Sequence, residues 1–257
     1  MTSQVEVKKY KEVKTILVSQ PEPTSRSPYA DLERKYGITV DFRPFIHVEG
    51  ISVKEFRKQR ILIEDYTSII FTSKNSVNHF FRVCKESRIK MPQDTKYFCT
   101  SEAIALYLQK FVVYRKRKVF FGKRTLDDLK PFLSRHKKKE KFLLPSSDLG
   151  KPRFSTFLKD NGFNFSEACL YKTVSSDLSD LSDITYDMLV FFSHFSIKSL
   201  FENFPTFQQN ETRIAAYGNS TSKAVESQGL MINVKAPTKE SFSMTAAIES
   251  YLKQSNR

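Results

Sequence analysis

Residues 69–77 read IIFTSKNSV, and residues 189–197 align with them without a gap as LVFFSHFSI. In each copy an apolar run ends at a hydroxyl-bearing residue and leads into an apolar helix face, and Phe81 matches Phe201 at the same offset. A repeated strand, polar turn and helix is typical of a duplicated α/β element. The repeat therefore predicts two related α/β domains within one chain.

The rest of the chain continues this alternation of short apolar runs with helical patterns, which is typical of parallel sheets flanked by helices. The predicted strands are residues 15–19, 38–42, 68–72, 96–100, 119–121, 141–145, 188–193, 213–217 and 231–234. The predicted helices are residues 29–36, 76–86, 101–109, 126–135, 151–161, 196–204, 221–228 and 241–253. Residues 174–183, which read VSSDLSDLSD, predict a linker or loop, and the charged residues up to about 14 predict a frayed start.

The composition is that of a soluble globular protein. Of 257 residues, 40% are hydrophobic and 27% are charged, which argues against both a disordered and a membrane-embedded chain. No apolar run reaches the roughly 18 residues that span a bilayer, and residues 1–20 contain no apolar stretch of signal-peptide type. We therefore expect a cytoplasmic protein.

Nothing in the sequence indicates a bound cofactor or metal ion. The cysteines Cys84, Cys99 and Cys169 are odd in number and none has zinc-ligand spacing, so neither a disulfide framework nor a zinc site is expected. The dinucleotide, P-loop, zinc-protease, serine-hydrolase and EF-hand motifs are all absent. The four histidines are scattered along the sequence: His47, His79, His136 and His194.

Charge is the strongest compositional signal. The chain has 42 Lys and Arg against 28 Asp and Glu, a net charge of +14. Residues 110–141 hold 13 of these cations and only 3 acids, with clusters at 115–118 (RKRK) and 136–139 (HKKK). Such a run is either a solvated surface that aids solubility or a binding surface for a polyanionic ligand or nucleic acid.

Small polar residues follow several predicted strands, at the edge where open α/β sheets bind their ligands. Free backbone N–H groups at helix N-termini, together with hydroxyls, can hold a carboxylate or phosphate there. Plain N-capping is the alternative explanation at each junction. The candidate binding residues are Thr72, Ser73, Asn75, Thr100, Ser101, Ser193, Ser196, Gly218, Asn219, Ser220 and Thr221. The turn at residues 145–153 could hold an anion in the same way, with Arg153 supplying charge, or be a loop.

The order of motifs resembles that of the uroporphyrinogen-III synthase family over nearly the whole chain. The matching pieces are ILVSQPEP at 16–23, Gly37, Pro44, IFTSKNSV at 70–77, Pro145, Gly162, YKT at 171–173, Phe192-Ser193, YGNST at 217–221 and Pro237-Thr238. The tyrosine and threonine of YKT, which follow the glycine at a helix end, are the most distinctive of these. Each motif is weak alone, and their order is what is specific.

The resemblance implies two similar α/β domains, each with a parallel sheet flanked by helices, joined by a two-stranded ribbon. One domain is expected to combine residues 1–43 with 175–257, and the other to span 51–164. The connecting ribbon is expected at 41–50 and 165–174. The internal repeat predicts two domains independently of the family.

The resemblance also implies an activity. The family closes the linear tetrapyrrole hydroxymethylbilane into uroporphyrinogen III, inverting ring D and losing water, and uses no cofactor. We therefore expect a cyclising lyase of haem biosynthesis, acting as a monomer, with the tetrapyrrole as its ligand and no nucleic acid or membrane partner. Because the substrate carries carboxylates on every ring, a cleft with backbone donors and basic side chains suits it.

Tyr171 matches the family's tyrosine, and the resemblance implies that its phenol assists the leaving hydroxyl as a general acid. A tyrosine that only packs in the ribbon is the alternative. Thr72, Ser193 and Thr221 match hydroxyl positions in the family's loops and are assigned to substrate binding.

Four positions depart from the family's pattern. Gln20 stands where arginine is usual, Thr100 where glycine is usual, Ala103 where threonine is usual, and His194 where proline is frequent. These departures leave open a divergent paralogue that keeps the architecture as a two-domain anion-binding module without catalysis. The basic clusters at 115–118 and 136–139 leave a second function open, that of a basic nucleic-acid-binding protein.

Overall fold

The computed structural model describes residues 10–123, 125–182 and 184–256. The chain divides into two compact units, the first formed by Met1–His47 and Val174–Arg257 and the second by Val48–Thr173. Both points at which the chain passes from one unit to the other lie inside strands.

The strands are β1 Thr15–Val18, β2 Thr39–Phe42, β3 Ile46–Gly50, β4 Ser68–Phe71, β5 Lys96–Cys99, β6 Val119–Phe121, β7 Phe142–Ser147, β8 Phe165–Ser175, β9 Met188–Phe191, β10 Arg213–Tyr217 and β11 Val234–Ala236. The α-helices are α1 Ala30–Tyr36, α2 Val53–Arg57, α3 Lys74–Glu86, α4 Glu102–Leu108, α5 Leu126–His136, α6 Pro152–Asp160, α7 His194–Asn203, α8 Asn219–Ser227 and α9 Met244–Ser255. Short 3₁₀ turns lie at Ile63–Asp65 and Ser179–Leu181.

The first unit contains a five-stranded parallel sheet in the order β11-β10-β9-β1-β2. Alternate residues of its strands enter two different cores. Ile16 and Val190 pack with α1 and α9 on one face, whereas Leu17 and Phe191 pack with α7 and α8 on the other. Because both faces of the sheet are covered, its strands are apolar at successive positions rather than alternating.

The second unit contains a six-stranded sheet in the order β3-β8-β7-β4-β5-β6, in which β8, β7, β4, β5 and β6 are parallel. Ile69 and Phe71 join the core beneath α3 and α4, while the intervening Ile70 joins the core beneath α5 and α6. All three side chains are fully buried. The prediction of parallel sheets flanked by helices is confirmed, and the apolar run of the internal repeat supplies one central strand to each sheet.

Three details differ from the predicted elements. The last strand is Val234–Ala236 rather than 231–234, because Val234 pairs with Ala215 while Met231 is 68% exposed. The structure also adds the short helix α2, which no predicted element covered, and it has strands β3 and β8 in the segments 41–50 and 165–174, which were expected only as a ribbon. Helix α9 begins at Met244 rather than 241, since the Ser243 hydroxyl caps its first turn.

Two segments expected to be irregular are held by specific contacts. Within 174–183, β8 continues to Ser175, and Leu178 is fully buried and donates its backbone N–H to the side-chain oxygen Oδ1 of Asn203. Near the start, Val13 is buried and exchanges backbone hydrogen bonds with the Asn256 side chain. Residues 10–14 are therefore not frayed; residues 1–9 and Asp183 lie outside the described residues. Among the described residues, no helix has the length and apolar character needed to cross a bilayer.

Glu140 joins the starts of three strands in the second unit. Its carboxylate accepts hydrogen bonds from Lys96 Nζ at 2.5 Å, at the start of β5, and from Ser68 Oγ at 2.9 Å, at the start of β4. Burial raises the pKa of this carboxyl, but the hydrogen bonds from Lys96, Thr67 and Ser68 lower it further, so the net shift is downward. The carboxylate is therefore a buried charge that depends on its partners.

We predict that Glu140→Ala lowers the free energy of unfolding by about 3 kcal/mol, because it leaves Lys96 without its buried counter-charge. The control is Asp94→Ala, which removes the exposed ion pair with Lys118 and should cost less than about 1 kcal/mol. Urea unfolding of both variants measures the difference. Equal losses would show that Glu140 has no special structural role.

Candidate active site

The polar loops of the second unit lie where the strand order reverses. From β4 the chain proceeds to β5 and β6 on one side of the sheet, whereas β7 and β8 lie on the other side. Ligands of doubly wound sheets bind beyond the carboxyl ends of the strands at such a reversal. Thr72 and Ser73 follow β4, and Thr100 and Ser101 follow β5, so these four residues share this edge.

Tyr171 reaches the same edge from β8. Its neighbour in register on β7 is Ser147, the last residue of that strand, and its phenol oxygen lies 3.4 Å from Ser73 Oγ. The Tyr171 side chain is only 5% exposed, and burial raises its pKa while the hydrogen bond with Ser73 opposes that shift. The phenol is therefore protonated at neutral pH and able to donate a hydrogen bond or a proton.

N-capping occupies much of the donor capacity at the start of α3. Ser73 Oγ accepts the Ser76 N–H at 3.1 Å, and Ser76 Oγ accepts the N–H groups of Thr72 at 3.3 Å and Ser73 at 3.2 Å. Thr100 Oγ1 donates to the Thr72 carbonyl at 3.4 Å. Thr72 Oγ1, in contrast, is buried and has no partner among the described residues. Asn75 is exposed on the first turn.

His79 was not among the candidate residues, yet it stacks on the Tyr171 ring with a centroid separation of 5.0 Å and an interplanar angle of 23°. Its Nδ1 is buried without a hydrogen-bond partner. Burial, and then the charge of Arg82, lower the pKa of His79. The signal that could have found it is helical spacing, since His79 lies one turn after Ser76 on the face that meets β8. Arg82, a further turn along, donates to the Leu170 carbonyl next to Tyr171.

The polar loops of the first unit also follow strands beside a reversal, here between β9 and β1. Ser193 caps α7 by accepting the Phe195 N–H at 3.2 Å. Gly218 precedes α8 with a φ of +83°, offers no side-chain cap, and has open space where a Cβ would lie. Ser220 Oγ lies 3.2 Å from His194 Nδ1, which links the loops after β9 and β10.

Exposure separates the candidate binding residues into three groups. Asn75, Asn219 and Ser220 are exposed. Thr72, Ser73, Ser101, Ser193 and Gly218 are half-buried. Thr100 is 7% exposed, and Ser196 and Thr221 are each 2% exposed. The buried hydroxyls lie beneath the loop surface, where they shape the loops more directly than they can contact a ligand.

The turn at 145–153 already holds an anion of the chain itself. Glu167, on β8, accepts the Lys151 N–H at 2.8 Å at the start of α6 and a hydrogen bond from the Ser155 hydroxyl. Arg153 pairs with Asp127. An external anion would have to displace Glu167, so these contacts favour the loop interpretation of this turn over the anion-site interpretation.

The basic clusters lie at the other edge of the sheet from the polar loops of the second unit. Residues 115–118 precede β6 and residues 136–139 precede β7, so both clusters are at the amino-terminal edge of the parallel sheet. The polar loops are at its carboxyl edge. In the second unit the basic clusters and the polar loops are therefore at opposite edges of the sheet, because the charged runs come before strands and the polar loops come after them.

Within the described ranges, no three His, Cys, Asp or Glu side chains are grouped so that they could hold a metal ion. Cys84, Cys99 and Cys169 are free. Burial raises the pKa of Cys84 and of Cys99 to about 12, so both thiols are protonated and poorly nucleophilic at neutral pH.

Two doubly wound α/β units, with hydroxyl-rich loops at the carboxyl edges of their sheets and a protonated buried tyrosine beside one of them, define a class of ligand-binding α/β protein. A family model described as Uroporphyrinogen-III synthase HemD matches residues 27–246. The chain belongs to the uroporphyrinogen-III synthase family, which consists of cyclising lyases of haem biosynthesis.

Similar proteins agree with this assignment. A uroporphyrinogen-III synthase of Chlorobaculum parvum (strain DSM 263 / NCIMB 8327) is 25% identical over 260 residues, covering 94% of this chain and all of that protein. The uroporphyrinogen-III synthetase structure from Helicobacter pylori 26695 has a TM-score of 0.58 at 18% identity, covering 93% of this chain and 99% of its own. A mutant synthase from the extremely thermophilic bacterium Thermus thermophilus has a TM-score of 0.51 at 16% identity, covering 94% of this chain and 98% of its own. These structures support the fold.

We predict that His79→Phe, which retains a ring against Tyr171, weakens the pH dependence of stability. In the unfolded chain His79 titrates near its ordinary pKa of 6.5, whereas the folded protein resists protonating it. The unfolded state therefore binds more protons as the pH falls through that value, and the native protein loses stability there.

Urea unfolding at about pH 7.5 and about pH 5.5 measures this effect. The wild type should lose more free energy of unfolding between the two pH values than His79→Phe does. Comparing the two proteins cancels the contributions of the acidic groups that both retain. Identical pH dependence would mean that His79 titrates normally and is open to solvent.

Proposed function

We propose that the chain converts hydroxymethylbilane to uroporphyrinogen III with Tyr171 as its catalytic residue. Membership of the family supports the reaction, and the position of the tyrosine supports its role. The observation that carries the proposal is the Tyr171 phenol 3.4 Å from Ser73, beside the start of α3 and at the carboxyl edge of the sheet. This edge is where doubly wound sheets bind ligands.

The chemistry requires a hydroxyl to leave the end of the linear tetrapyrrole. In the proposed step Tyr171 donates its proton to that hydroxyl, the C–O bond breaks, and water departs to leave an electrophilic azafulvene. Ring D then attacks through its substituted carbon, which forms a new C–C bond and a spiro intermediate. The older bond from that carbon to the methylene bridge of ring C breaks, which leaves a second azafulvene on ring C. The free α-carbon of ring D attacks this azafulvene, and the proton lost from that carbon as the pyrrole regains aromaticity restores the phenol. A phenol whose pKa is raised by burial stays protonated until the C–O bond breaks.

Inversion of ring D depends on how the chain is held, because unaided closure gives the uninverted isomer. Most of the catalysis is therefore positioning of a flexible substrate. We propose that the exposed residues Asn75, Asn219 and Ser220 bind substrate carboxylates. The backbone N–H groups at the start of α8 are further donors, since Gly218 provides no side-chain cap there.

The remaining candidate residues have supporting roles in this proposal. The half-buried Thr72, Ser73, Ser101 and Ser193 line the strand-to-helix turns and contact substrate at closer range. Thr72 is the strongest of these, because its buried hydroxyl has no protein partner among the described residues and gains one from a ligand. The buried residues that fix the turns are Thr100, Ser196 and Thr221.

The wider organisation is also proposed by analogy with the family. Residues 1–43 with 175–257 and residues 51–164 would act as two domains, with 41–50 and 165–174 as the connecting ribbon. The protein would act in the cytoplasm as a monomer, without cofactor or nucleic-acid partner. The nucleic-acid function has no support beyond the basic clusters, which name no reaction.

We predict that Tyr171→Phe lowers turnover at least about tenfold, since a general acid contributes about a hundredfold or more. Stability should change by less than about 1 kcal/mol, because the phenol makes only the one long hydrogen bond with Ser73 among the described residues. The measurement is the rate of formation of the type III isomer from freshly generated hydroxymethylbilane, with urea unfolding in parallel.

Tyr66→Phe is the matched control. Tyr66 is as buried as Tyr171 and donates to a serine, Ser166, at 2.7 Å, but at the start of the strands rather than their carboxyl ends. The Tyr66→Phe variant should retain near-normal turnover. Near-normal turnover of Tyr171→Phe would remove Tyr171 from the mechanism, and equal losses in both variants would indicate a general effect of losing a buried phenol.

A further inference from the structure

The second unit contains a cavity that the proposed reaction does not use. It has a volume of about 400 Å³ and lies at the amino-terminal edge of the sheet, near the starts of β5 and β6. Its volume is within the range of about 300–1,000 Å³ in which small-molecule sites fall. The walls are largely apolar and include Phe81, Cys84, Ile89, Met91, Phe111 and Val119.

One polar side chain in the wall is buried without a partner. Thr95 precedes β5, lines the cavity and is 3% exposed. Its Oγ1 has no hydrogen-bond partner among the described residues, although its backbone N–H donates to the Pro92 carbonyl. A buried hydroxyl without a partner costs about 1–3 kcal/mol, so a ligand that accepts a hydrogen bond from it would recover that free energy.

The charged lining residues of this cavity are all cations. Lys90, Arg115 and Lys118 line it, and no Asp or Glu does. Lys118 is paired with Asp94 at 2.8 Å. Among the described residues Lys90 and Arg115 have no carboxylate partner, which leaves Arg115 able to form a bidentate contact with an anion. The basic cluster at 115–118, which is at the other edge of the sheet from the polar loops, thus supplies positive charge to a largely apolar cavity.

We propose that this cavity binds an amphiphilic monocarboxylate, with an alkyl or aromatic body among the apolar walls and its carboxylate between Thr95 and Arg115. Each methylene removed from water contributes about 0.8 kcal/mol. The carboxylate accepts hydrogen bonds from the Thr95 hydroxyl and from the Arg115 N–H groups. The apolar walls contact the body of the ligand, so both of its parts have partners in the cavity.

Decanoate is the probe, and methionine methyl groups report where it binds. In protein labelled with ¹³C at these methyls, Met91 lies in the cavity wall, whereas Met188 and Met244 are buried in the first unit. Titration with decanoate should shift the Met91 signal in a saturable manner and leave those of Met188 and Met244 unchanged. Decanol, which lacks the charge, should bind at least about tenfold more weakly.

Adjacent charges provide the matched variants. Arg115→Gln should weaken decanoate binding about tenfold. Lys116→Gln removes one positive charge from an exposed residue that does not line the cavity, so it should change the affinity for decanoate less than about twofold. Thr95→Val should weaken binding about fivefold with little change in volume.

Three results would overturn the proposal. The first is a Met91 signal that decanoate does not move up to its solubility limit. The second is equal weakening by Arg115→Gln and Lys116→Gln, which would mean that only the general charge of the cluster attracts the anion. The third is equal affinity for decanol and decanoate. Synthase activity is not part of this test, so its outcome is independent of the role proposed for Tyr171.

Discussion

The common direction of the strands is the constraint on which the rest of this structure depends. Parallel strands that are covered on both faces are apolar along their whole length, so polar groups can be placed only where the strands begin or end. Their carboxyl ends meet at one edge, and each helix that follows starts there with free N–H groups. Thr72, Ser73 and Tyr171 meet for this reason, although nearly one hundred residues separate the tyrosine from the serine.

The common direction of the strands also places the basic runs and the polar loops at different edges of the sheet. The loops after the strands contain hydroxyl and amide side chains, while the basic runs at 115–118 and 136–139 come before strands and lie at the opposite edge. The substrate carboxylates of the proposed reaction would therefore meet mainly neutral donors at the carboxyl edge. The chain also occupies one of its own helix starts, at α6, with the Glu167 carboxylate.

Periodicity and the internal repeat were sufficient to predict the parallel sheets and most of the strands, since burial on both faces leaves a continuous apolar run in the sequence. The direction of the strands was implicit in the same pattern and would have placed the basic runs correctly. Side-chain partners across the sheet could not be read in this way. The stacking of His79 on Tyr171 and the filling of the 145–153 turn by Glu167 depend on the strand order β8-β7-β4, which no local pattern encodes. Val234–Ala236 was misplaced because a three-residue edge strand has too little pattern to fix its register.

The departures from the family's pattern fall on the polar loops and on the first turns of the helices that follow them, and not on the sheets. Gln20 is exposed after β1, and Thr100 is buried with its hydroxyl donated to the Thr72 carbonyl. His194 contacts Ser220 and adds a link between two loops of the first unit.

Inversion of ring D distinguishes the synthase reaction from unaided closure, and the distribution of product isomers measures it. Freshly generated hydroxymethylbilane would be given to the purified protein, and the oxidised products separated by isomer. If the protein inverts ring D, the type III isomer will dominate and will form faster than the uncatalysed closure. Type I alone, formed at the uncatalysed rate, would contradict it.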